Sequence, residues 1–148
     1  MLTDRVLFDR ACAALARAYA PYSHFRVGAC LLAEDGRAFE GCNIENASYG
    51  ATICAERCAI SGAVVQGATR FAAIAVVGEH ADAWPCGICR QVLNEFSPAM
   101  RVVCGSVDSG KFVVTTLDQL LPHAFGPENL QNTQTQPRQA PAMTEEDT

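Results

Sequence analysis

The sequence predicts a layered α/β domain whose sheet has both antiparallel and parallel parts. Segments with a helical period alternate with short apolar segments typical of strands. The pair Asp35-Gly36 lies between the first two strand-like segments and indicates a tight hairpin, which is an antiparallel connection. Helices separate the next strand-like segments, and such crossovers permit parallel pairing. The 148 residues suit one domain with a core that needs no disulfides.

Four segments are predicted to be helical, at 3–19, 53–66, 86–96 and 117–121. In the first of them Thr3 is the expected N-cap, and Pro21 stops the helix from continuing. Gly67 suits the end of the second helix, because glycine readily adopts the left-handed conformation found there. The second and third predicted helices both begin at a cysteine-bearing motif.

Five apolar segments are predicted to be strands, at 25–33, 38–44, 71–77, 101–104 and 112–115. The polar, glycine-bearing segment 45–52 and the segment 78–85 are predicted to be loops. From about Gln131 the chain consists mainly of Gln, Thr, Pro and Glu, which cannot build a core. We therefore expect one domain over 1–130 and a disordered polar tail over 131–148.

Charge and hydropathy exclude several classes of partner. The formal net charge is -5 and the chain has no run of Lys or Arg, so a polynucleotide substrate is disfavoured. No segment is long and apolar enough to span a bilayer. The N-terminal residues resemble neither a signal peptide nor a transit peptide. These features predict a soluble, cytoplasmic protein that acts on a small neutral substrate and binds neither nucleic acid nor membrane.

The eight cysteines fall into two groups. Five lie in apolar stretches and are interpreted as small buried side chains, namely Cys12, Cys30, Cys42, Cys58 and Cys104. Cys54, Cys86 and Cys89 instead open predicted helices, where the partial positive charge of the helix end favours the thiolate that binds metals. If the two helices begin side by side, these three sulfurs can hold one zinc ion and leave a fourth position for water, as catalytic zinc sites do.

Glu56 and Arg57 suit the surroundings of such a metal. Glu56 lies two residues after Cys54, so its carboxylate can face the metal without ligating it and can move protons. Three cysteine ligands with a carboxylate that does not bind the metal are a known pattern of zinc deaminases. Arg57 can donate hydrogen bonds to the sulfurs and offset their charge, and Arg90 can do the same.

Two other interpretations of the cysteines remain open at this point. A redox pair at Cys86 and Cys89 is possible, although it leaves Cys54 and Glu56 without a role. A structural zinc site with four cysteines would recruit Cys58, one helical turn after Cys54. The apolar neighbours of Cys58 favour a place in the core instead.

Five blocks of sequence, in this order, resemble the homotetrameric zinc-dependent cytidine deaminases. They are PYSHF (21–25), GCNIENASY (41–49), TICAER (52–57), PCGICRQV (85–92) and LLPHAFGP (120–127). The resemblance implies a three-layer α/β/α fold with a five-stranded mixed sheet between the helices. It also implies one Zn²⁺ per subunit and a homotetramer with its sites at subunit contacts. The activity that it implies is hydrolytic deamination of cytidine and deoxycytidine.

The resemblance also implies a role for each matching residue. Zinc would be bound by Cys54, Cys86 and Cys89, and Glu56 would transfer protons. The residues implied to contact the nucleoside are Phe25, Asn43, Glu45 and Ala55 from the same subunit, and Ala47, Tyr49 and Phe125 from a neighbour. Trp84 departs from the family, which usually has Ser or Thr there and uses the backbone carbonyl to hold the base amino group. The carbonyl survives the substitution, whereas the bulky indole changes the shape of the loop and the access of substrate.

Three other functions are considered. The first is deamination of a related aminopyrimidine nucleoside such as blasticidin, against which the block 43–49 argues. The second is a non-catalytic zinc-stabilised binding protein, which would have no use for Glu56. The third is a polynucleotide-editing enzyme, which the acidic composition and the short chain disfavour.

Overall fold

One five-stranded sheet organises the computed structural model, which describes residues 1–131. Its strands are β1 (Val27–Ala33), β2 (Ala38–Cys42), β3 (Phe71–Gly78), β4 (Arg101–Ser106) and β5 (Phe112–Thr116). They lie in the order β2-β1-β3-β4-β5. β3 and β4 pair in parallel, whereas the other three pairings are antiparallel. The mixed sheet predicted from the sequence is confirmed.

Helices cover both faces of this sheet. They are α1 (Asp4–Leu15), α2 (Ala55–Val65), α3 (Gly87–Phe96), α4 (Leu117–Leu120) and α5 (Pro127–Gln131). α1 packs on one face, and α2 and α3 pack on the other, which confirms the three-layer α/β/α architecture. In the described part of the chain every helix is too short or too polar to cross a membrane.

The side chains of β1 show how one strand serves two cores. Cys30 and Leu32 pack with Leu7 and Phe8 of α1. The alternate residues of β1, such as Leu31, pack with the side chains of α2 on the opposite face. Because successive side chains of a strand point to opposite faces, a strand covered on both sides is apolar along its whole length.

Two predicted helix boundaries are wrong, and long-range pairing explains both. α1 ends at Leu15 instead of residue 19, because Tyr19 bonds to an extended segment: its N–H donates to the Asn43 carbonyl at 2.9 Å. α2 begins at Ala55 instead of residue 53, since Ile53 and Ile44 exchange two backbone hydrogen bonds of 2.9 Å. Neither partner lies near in sequence, so local periodicity cannot reveal the boundary.

The other differences between the predicted and the observed elements involve only a few residues. β1 begins at Val27 instead of residue 25, and β2 ends at Cys42 instead of residue 44. The predicted loop 45–52 contains a single 3₁₀ turn at Tyr49–Ala51, and α5 follows the predicted domain elements without having been predicted. The tail predicted over 131–148 lies outside the described residues, apart from Gln131 at the end of α5.

The predicted helix caps and hairpin are confirmed. The Thr3 hydroxyl accepts a hydrogen bond from the N–H of Val6 at 3.3 Å, as an N-cap does. Gly67 has a φ of +86° just beyond α2, and Gly36 has a φ of +92° in the hairpin between β1 and β2.

Gly41 lets the start of α2 lie directly on β2. A Cβ atom at this position would be 2.3 Å from the Ala55 carbonyl oxygen and 2.6 Å from the Ala59 nitrogen. These distances are far below ordinary contact, so a side chain here would push α2 away from the sheet. The close approach positions the first turn of α2, which carries the candidate active-site residues.

Candidate active site

Three cysteine sulfurs meet where α2 and α3 begin. Cys54 immediately precedes α2, Cys86 precedes α3, and Cys89 lies in the first turn of α3. The three sulfurs all lie within 4.8 Å of one another, and those of Cys54 and Cys86 are 3.8 Å apart. Two sulfurs bound at about 2.3 Å to one tetrahedral zinc ion lie about 3.8 Å apart, so the spacing fits zinc.

Cys58 does not belong to this cluster. It is partly exposed, and burial raises the pKa of its thiol. Of the other cysteines interpreted as buried, Cys30 and Cys104 are buried, and burial raises their pKa to about 11 and about 12. Cys12 and Cys42 are partly exposed, so the prediction of burial is wrong for these two and for Cys58. All eight cysteines are free.

The environment of Cys54 favours the thiolate. A hydrogen bond from the Cys89 thiol lowers the pKa of Cys54 to about 5, and a hydrogen bond from Arg57 contributes to the shift. The same pairing raises the pKa of Cys89, because the thiol that donates the hydrogen bond keeps its proton. A site that already favours one thiolate is prepared for a divalent cation.

Arg57 lies beside the sulfurs, as predicted. Its Nη2 donates to the Cys54 sulfur at 3.7 Å and to the Thr52 carbonyl at 3.2 Å. Its Nε is buried and has no hydrogen-bond partner within residues 1–131. A guanidinium held here supplies positive charge to a group of thiolates. The prediction that Arg90 does the same is wrong: Arg90 donates to the carbonyls of Pro85 and Leu120, at 2.7 and 2.8 Å.

Glu56 is a buried carboxyl group in the first turn of α2, with 3% of its surface exposed. Burial raises its pKa to about 7, because a charged carboxylate loses its hydration there. A carboxyl group that titrates near neutral pH can both accept and return a proton.

A cavity of about 290 Å³ opens beside this cluster. Its walls include the predicted residues Phe25, Asn43, Cys54, Ala55, Glu56 and Cys86. A second cavity, of about 260 Å³, is lined by Tyr22, Ser23, Glu45, Tyr49 and Thr52. Thr52 lines both cavities, so the two are neighbours. Two of the three clustered cysteines, a buried carboxyl group and an apolar wall therefore share one cleft of the size that binds a small molecule.

Comparison with known families agrees with this geometry. A model described as the cytidine and deoxycytidylate deaminase zinc-binding region matches residues 1–106. The chain belongs to this family. It is therefore a zinc-dependent deaminase by descent, and the triad of free cysteines is consistent with one zinc ion per chain.

Individual relatives in this deaminase family match most of the chain. A cytidine deaminase of Sporosarcina psychrophila is 49% identical over 115 residues, which cover 77% of this chain and 85% of that protein. One from Halalkalibacterium halodurans is 45% identical over 128 residues, covering 85% and 96%. The crystal structure of a cytidine deaminase from Burkholderia pseudomallei shares 50% identity at a TM-score of 0.80, over 84% of this chain and all of that one.

Asn43 is held in place by the backbone at the larger of these two cavities. Its side-chain oxygen accepts from the N–H of Val27 and its amide donates to the carbonyl of Phe25, both at 2.9 Å. These bonds replace ladder pairing before β1 and explain why that strand begins at Val27. They also fix the backbone of Phe25, a residue that lines the same cavity and is 40% exposed.

Glu45 is placed apart from Asn43, in the second cavity. Its carboxylate accepts hydrogen bonds from the N–H groups of Tyr22 and Ser23, both at 3.0 Å, and from the Ser23 hydroxyl. These bonds lower the pKa of Glu45. The structure thus places the two predicted ribose-binding residues in neighbouring cavities instead of one.

The three residues predicted to serve a neighbouring subunit are all exposed. Tyr49 is 76% exposed and stacks edge-on with Tyr22, with ring centroids 5.9 Å apart. Phe125 is 58% exposed, while its carbonyl accepts a hydrogen bond from Gln91 at 2.8 Å. Ala47 is exposed in the loop before the 3₁₀ turn. Phe125 and Ala47 line neither cavity of their own chain.

Sequence reasoning missed several residues that line the larger cavity. They include Val27, Thr52, Asp82 and Ala83. Thr52 lies in the block that resembles the family, which was a usable signal. The segment of Asp82 and Ala83 carries no motif, and only the fold brings it to the cavity. Trp84, noted as a departure from the family, lines this cavity with 43% of its surface exposed.

Proposed function

We propose that the protein catalyses hydrolytic deamination of cytidine and deoxycytidine, giving uridine or deoxyuridine and ammonia. The observation that carries this proposal is the buried Glu56 carboxyl group in the same cavity as Cys54 and Cys86. A structural zinc site needs no buried acid beside it, whereas hydrolysis needs a group that transfers protons. The family and the related cytidine deaminases of Sporosarcina psychrophila and Halalkalibacterium halodurans support this choice of substrate.

Cys54, Cys86 and Cys89 are the residues that we assign as zinc ligands. Zinc bound there would act as a Lewis acid and lower the pKa of water near it, so that water can attack at neutral pH. Arg57 would offset the negative charge of the three thiolates through its contact with Cys54. Ala55, which is fully buried between Cys54 and Glu56 and lines the same cavity, would contact the nucleoside.

Glu56 would carry out the proton transfers. It takes a proton from the attacking water and delivers it to N3 of the pyrimidine as the new C–O bond forms at C4. It then passes the second proton of that water to the amino group, and the C4–N bond breaks to release ammonia. One water is consumed and the carbonyl replaces the amine, so atoms and charge balance.

The nucleoside would occupy the adjoining walls. Phe25 offers an aromatic face to the base, and Asn43 and Glu45 offer polar groups to the ribose hydroxyls. Since Asn43 and Glu45 already hydrogen-bond to the protein, each would bind ribose with its remaining capacity. A carboxylate oxygen can accept more than one hydrogen bond, so Glu45 retains capacity to bind a hydroxyl.

A homotetramer with shared active sites is part of the proposal. The exposed side chains of Tyr49 and Phe125 do not line the larger cavity of their own chain, although Tyr49 lines the smaller one. Burial between subunits would remove both side chains from water. Ala47, Tyr49 and Phe125 would then complete the nucleoside pocket of an adjacent subunit. We place the enzyme in the cytoplasm, where reducing conditions preserve free cysteine ligands.

The direct test is to incubate the purified protein with cytidine and to measure uridine and ammonia, together with a zinc count per chain. We expect equal amounts of uridine and ammonia and one zinc per chain. A protein that holds zinc but releases neither product would instead be the non-catalytic binding protein, and release of ammonia from blasticidin alone would indicate the related deaminase.

A further inference from the structure

The walls of the two cavities carry acidic charge without basic charge. Glu56 and Asp82 line the larger cavity, and Glu45 lines its neighbour. Among the described residues that line either cavity there is no lysine, arginine or histidine. The walls that a substrate meets in this cleft therefore carry acidic residues and no basic residue, while His24 lies near Glu45 outside the lining.

The arginines nearest to the cleft are committed to other partners. Arg57 donates to the Cys54 sulfur and a backbone carbonyl, and Arg90 donates to two backbone carbonyls. Arg26, next to Phe25, forms a two-point ion pair with Glu79, with Nε 2.8 Å from the carboxylate. Each of these three guanidinium groups therefore already has a protein partner, and Nε of Arg57, which has no hydrogen-bond partner within residues 1–131, is buried.

Asp82 differs from the two other acids. Glu56 is buried, and Glu45 already accepts hydrogen bonds from Tyr22 and Ser23. Asp82 is exposed, and within residues 1–131 its carboxylate has no hydrogen bond or ion pair. Within the described residues its negative charge is therefore not paired, and it can act on a molecule that occupies the cavity.

We propose that Asp82 is a specificity-determining residue that makes the active site reject anionic substrates and favour neutral or cationic nucleosides. The inference rests on the proposed function, since it concerns the substrates of that reaction. The residues proposed to come from a neighbouring subunit, Ala47, Tyr49 and Phe125, add no charge that would reverse the preference. The net charge of -5 acts in the same direction at longer range.

The size of the effect follows from Coulomb's law. A doubly charged phosphate about 8 Å from one carboxylate in water loses about fivefold in binding through repulsion. Because mobile ions screen such interactions over about 10 Å at 0.1 M salt, the discrimination should weaken as salt is added.

The experiment compares three substrates that differ in charge at the 5′ position: cytidine, CMP and 5′-amino-5′-deoxycytidine. Values of kcat/KM are measured for the wild-type protein, for Asp82→Asn and for Glu95→Gln. The last variant removes the same charge from an exposed position on α3 that lines neither cavity. We expect Asp82→Asn to raise the ratio of CMP to cytidine about fivefold and to lower the ratio of the amino compound to cytidine. Glu95→Gln should change neither ratio.

Two outcomes overturn the inference. The first is a wild-type protein that uses CMP as well as it uses cytidine. The second is an Asp82→Asn variant whose ratio of CMP to cytidine matches that of Glu95→Gln. If no cytidine is consumed at all, it is the proposed function that fails. In that case calorimetry measures the Kd values of uridine and UMP, which differ in charge in the same way. For the inference to stand, the ratio of these two Kd values must be smaller in Asp82→Asn than in the wild-type protein.

Discussion

The sulfurs of Cys54 and Cys86 lie 3.8 Å apart, although the two residues are 32 positions apart in the sequence. Each precedes the first turn of its helix, so the contact joins the N-terminal ends of α2 and α3. The positive ends of two helices thus converge on one group of thiols, which favours thiolates and a bound cation.

Removal of one of these sulfurs should abolish metal binding and activity together. We expect Cys86→Ala to lose zinc, because two ligands cannot hold the ion as three do. Cys58→Ala is the matched control, since Cys58 lies one turn beyond Cys54 but outside the cluster. Zinc content and turnover, measured on both variants, check the prediction, and loss of zinc from Cys58→Ala would argue for a four-cysteine site.

Replacement of Glu56 should separate zinc binding from catalysis. We expect Glu56→Gln to keep its fold and zinc, because the amide has the shape of the acid, yet to lose about 10²–10⁴ in kcat through loss of proton transfer. Metal analysis and steady-state kinetics on one preparation measure both properties. Retention of more than about a tenth of wild-type kcat would contradict this role.

A methyl group at Gly41 should disturb the active site through packing. Gly41→Ala would place Cβ 2.3 Å from the Ala55 carbonyl oxygen, so α2 must move and we expect about 1–3 kcal/mol of destabilisation together with weaker zinc binding. The control is Gly62→Ala within α2, where a Cβ meets nothing within 4 Å. It should stabilise the protein by about 0.5–1 kcal/mol. Chemical denaturation of both variants tests the contrast, and equal effects would be inconsistent with the close approach.

Trp84 should limit the size of the base. Trp84 lines the same cavity as Cys86, two residues away in the sequence. The reacting carbon C4 would lie close to the cysteines, and C5 is bonded to C4. We therefore expect the indole to lie near substituents at C5. We predict that Trp84→Ser favours a methylated base. The ratio of kcat/KM for 5-methylcytidine to kcat/KM for cytidine should rise by about tenfold, which is the discrimination that one methyl group typically gives in a pocket. Val65→Ser, on a side chain 87% exposed outside the cavity, is the control. An unchanged ratio in Trp84→Ser would show that Trp84 does not determine which bases the enzyme accepts.

Phe125 should act on a neighbouring subunit. Its carbonyl is held by Gln91 through a hydrogen bond that Phe125→Ala retains, so the main effect is loss of a ring that is 58% exposed in the single chain. We expect a higher KM for cytidine, unchanged zinc content and activity that falls as the protein dissociates on dilution. Sedimentation and activity measured over one dilution series test this, and a fully active monomer would end the shared-site proposal.

Local sequence determined the elements and the reactive groups of this protein. The helical periods, the Asp35-Gly36 turn and the cap at Thr3 all depend on residues within a few positions of one another, and the structure confirms them. The cysteine motifs and Glu56 were recognisable for the same reason. Cys86 and Cys89, for example, are three positions apart at the start of a helix, a spacing that brings two side chains together whatever the rest of the chain does.

Tertiary structure alone decided which distant groups meet. The pairing of Ile44 with Ile53 moved the start of α2, and Asn43 took the backbone groups that would have begun β1 earlier. The separation of Glu45 from Asn43 and the arrival of Asp82 at the cavity wall have no local signature. Sequence spacing limits contacts only within an element, whereas distances between elements depend on how the sheet orders its strands and how closely the helices pack on it.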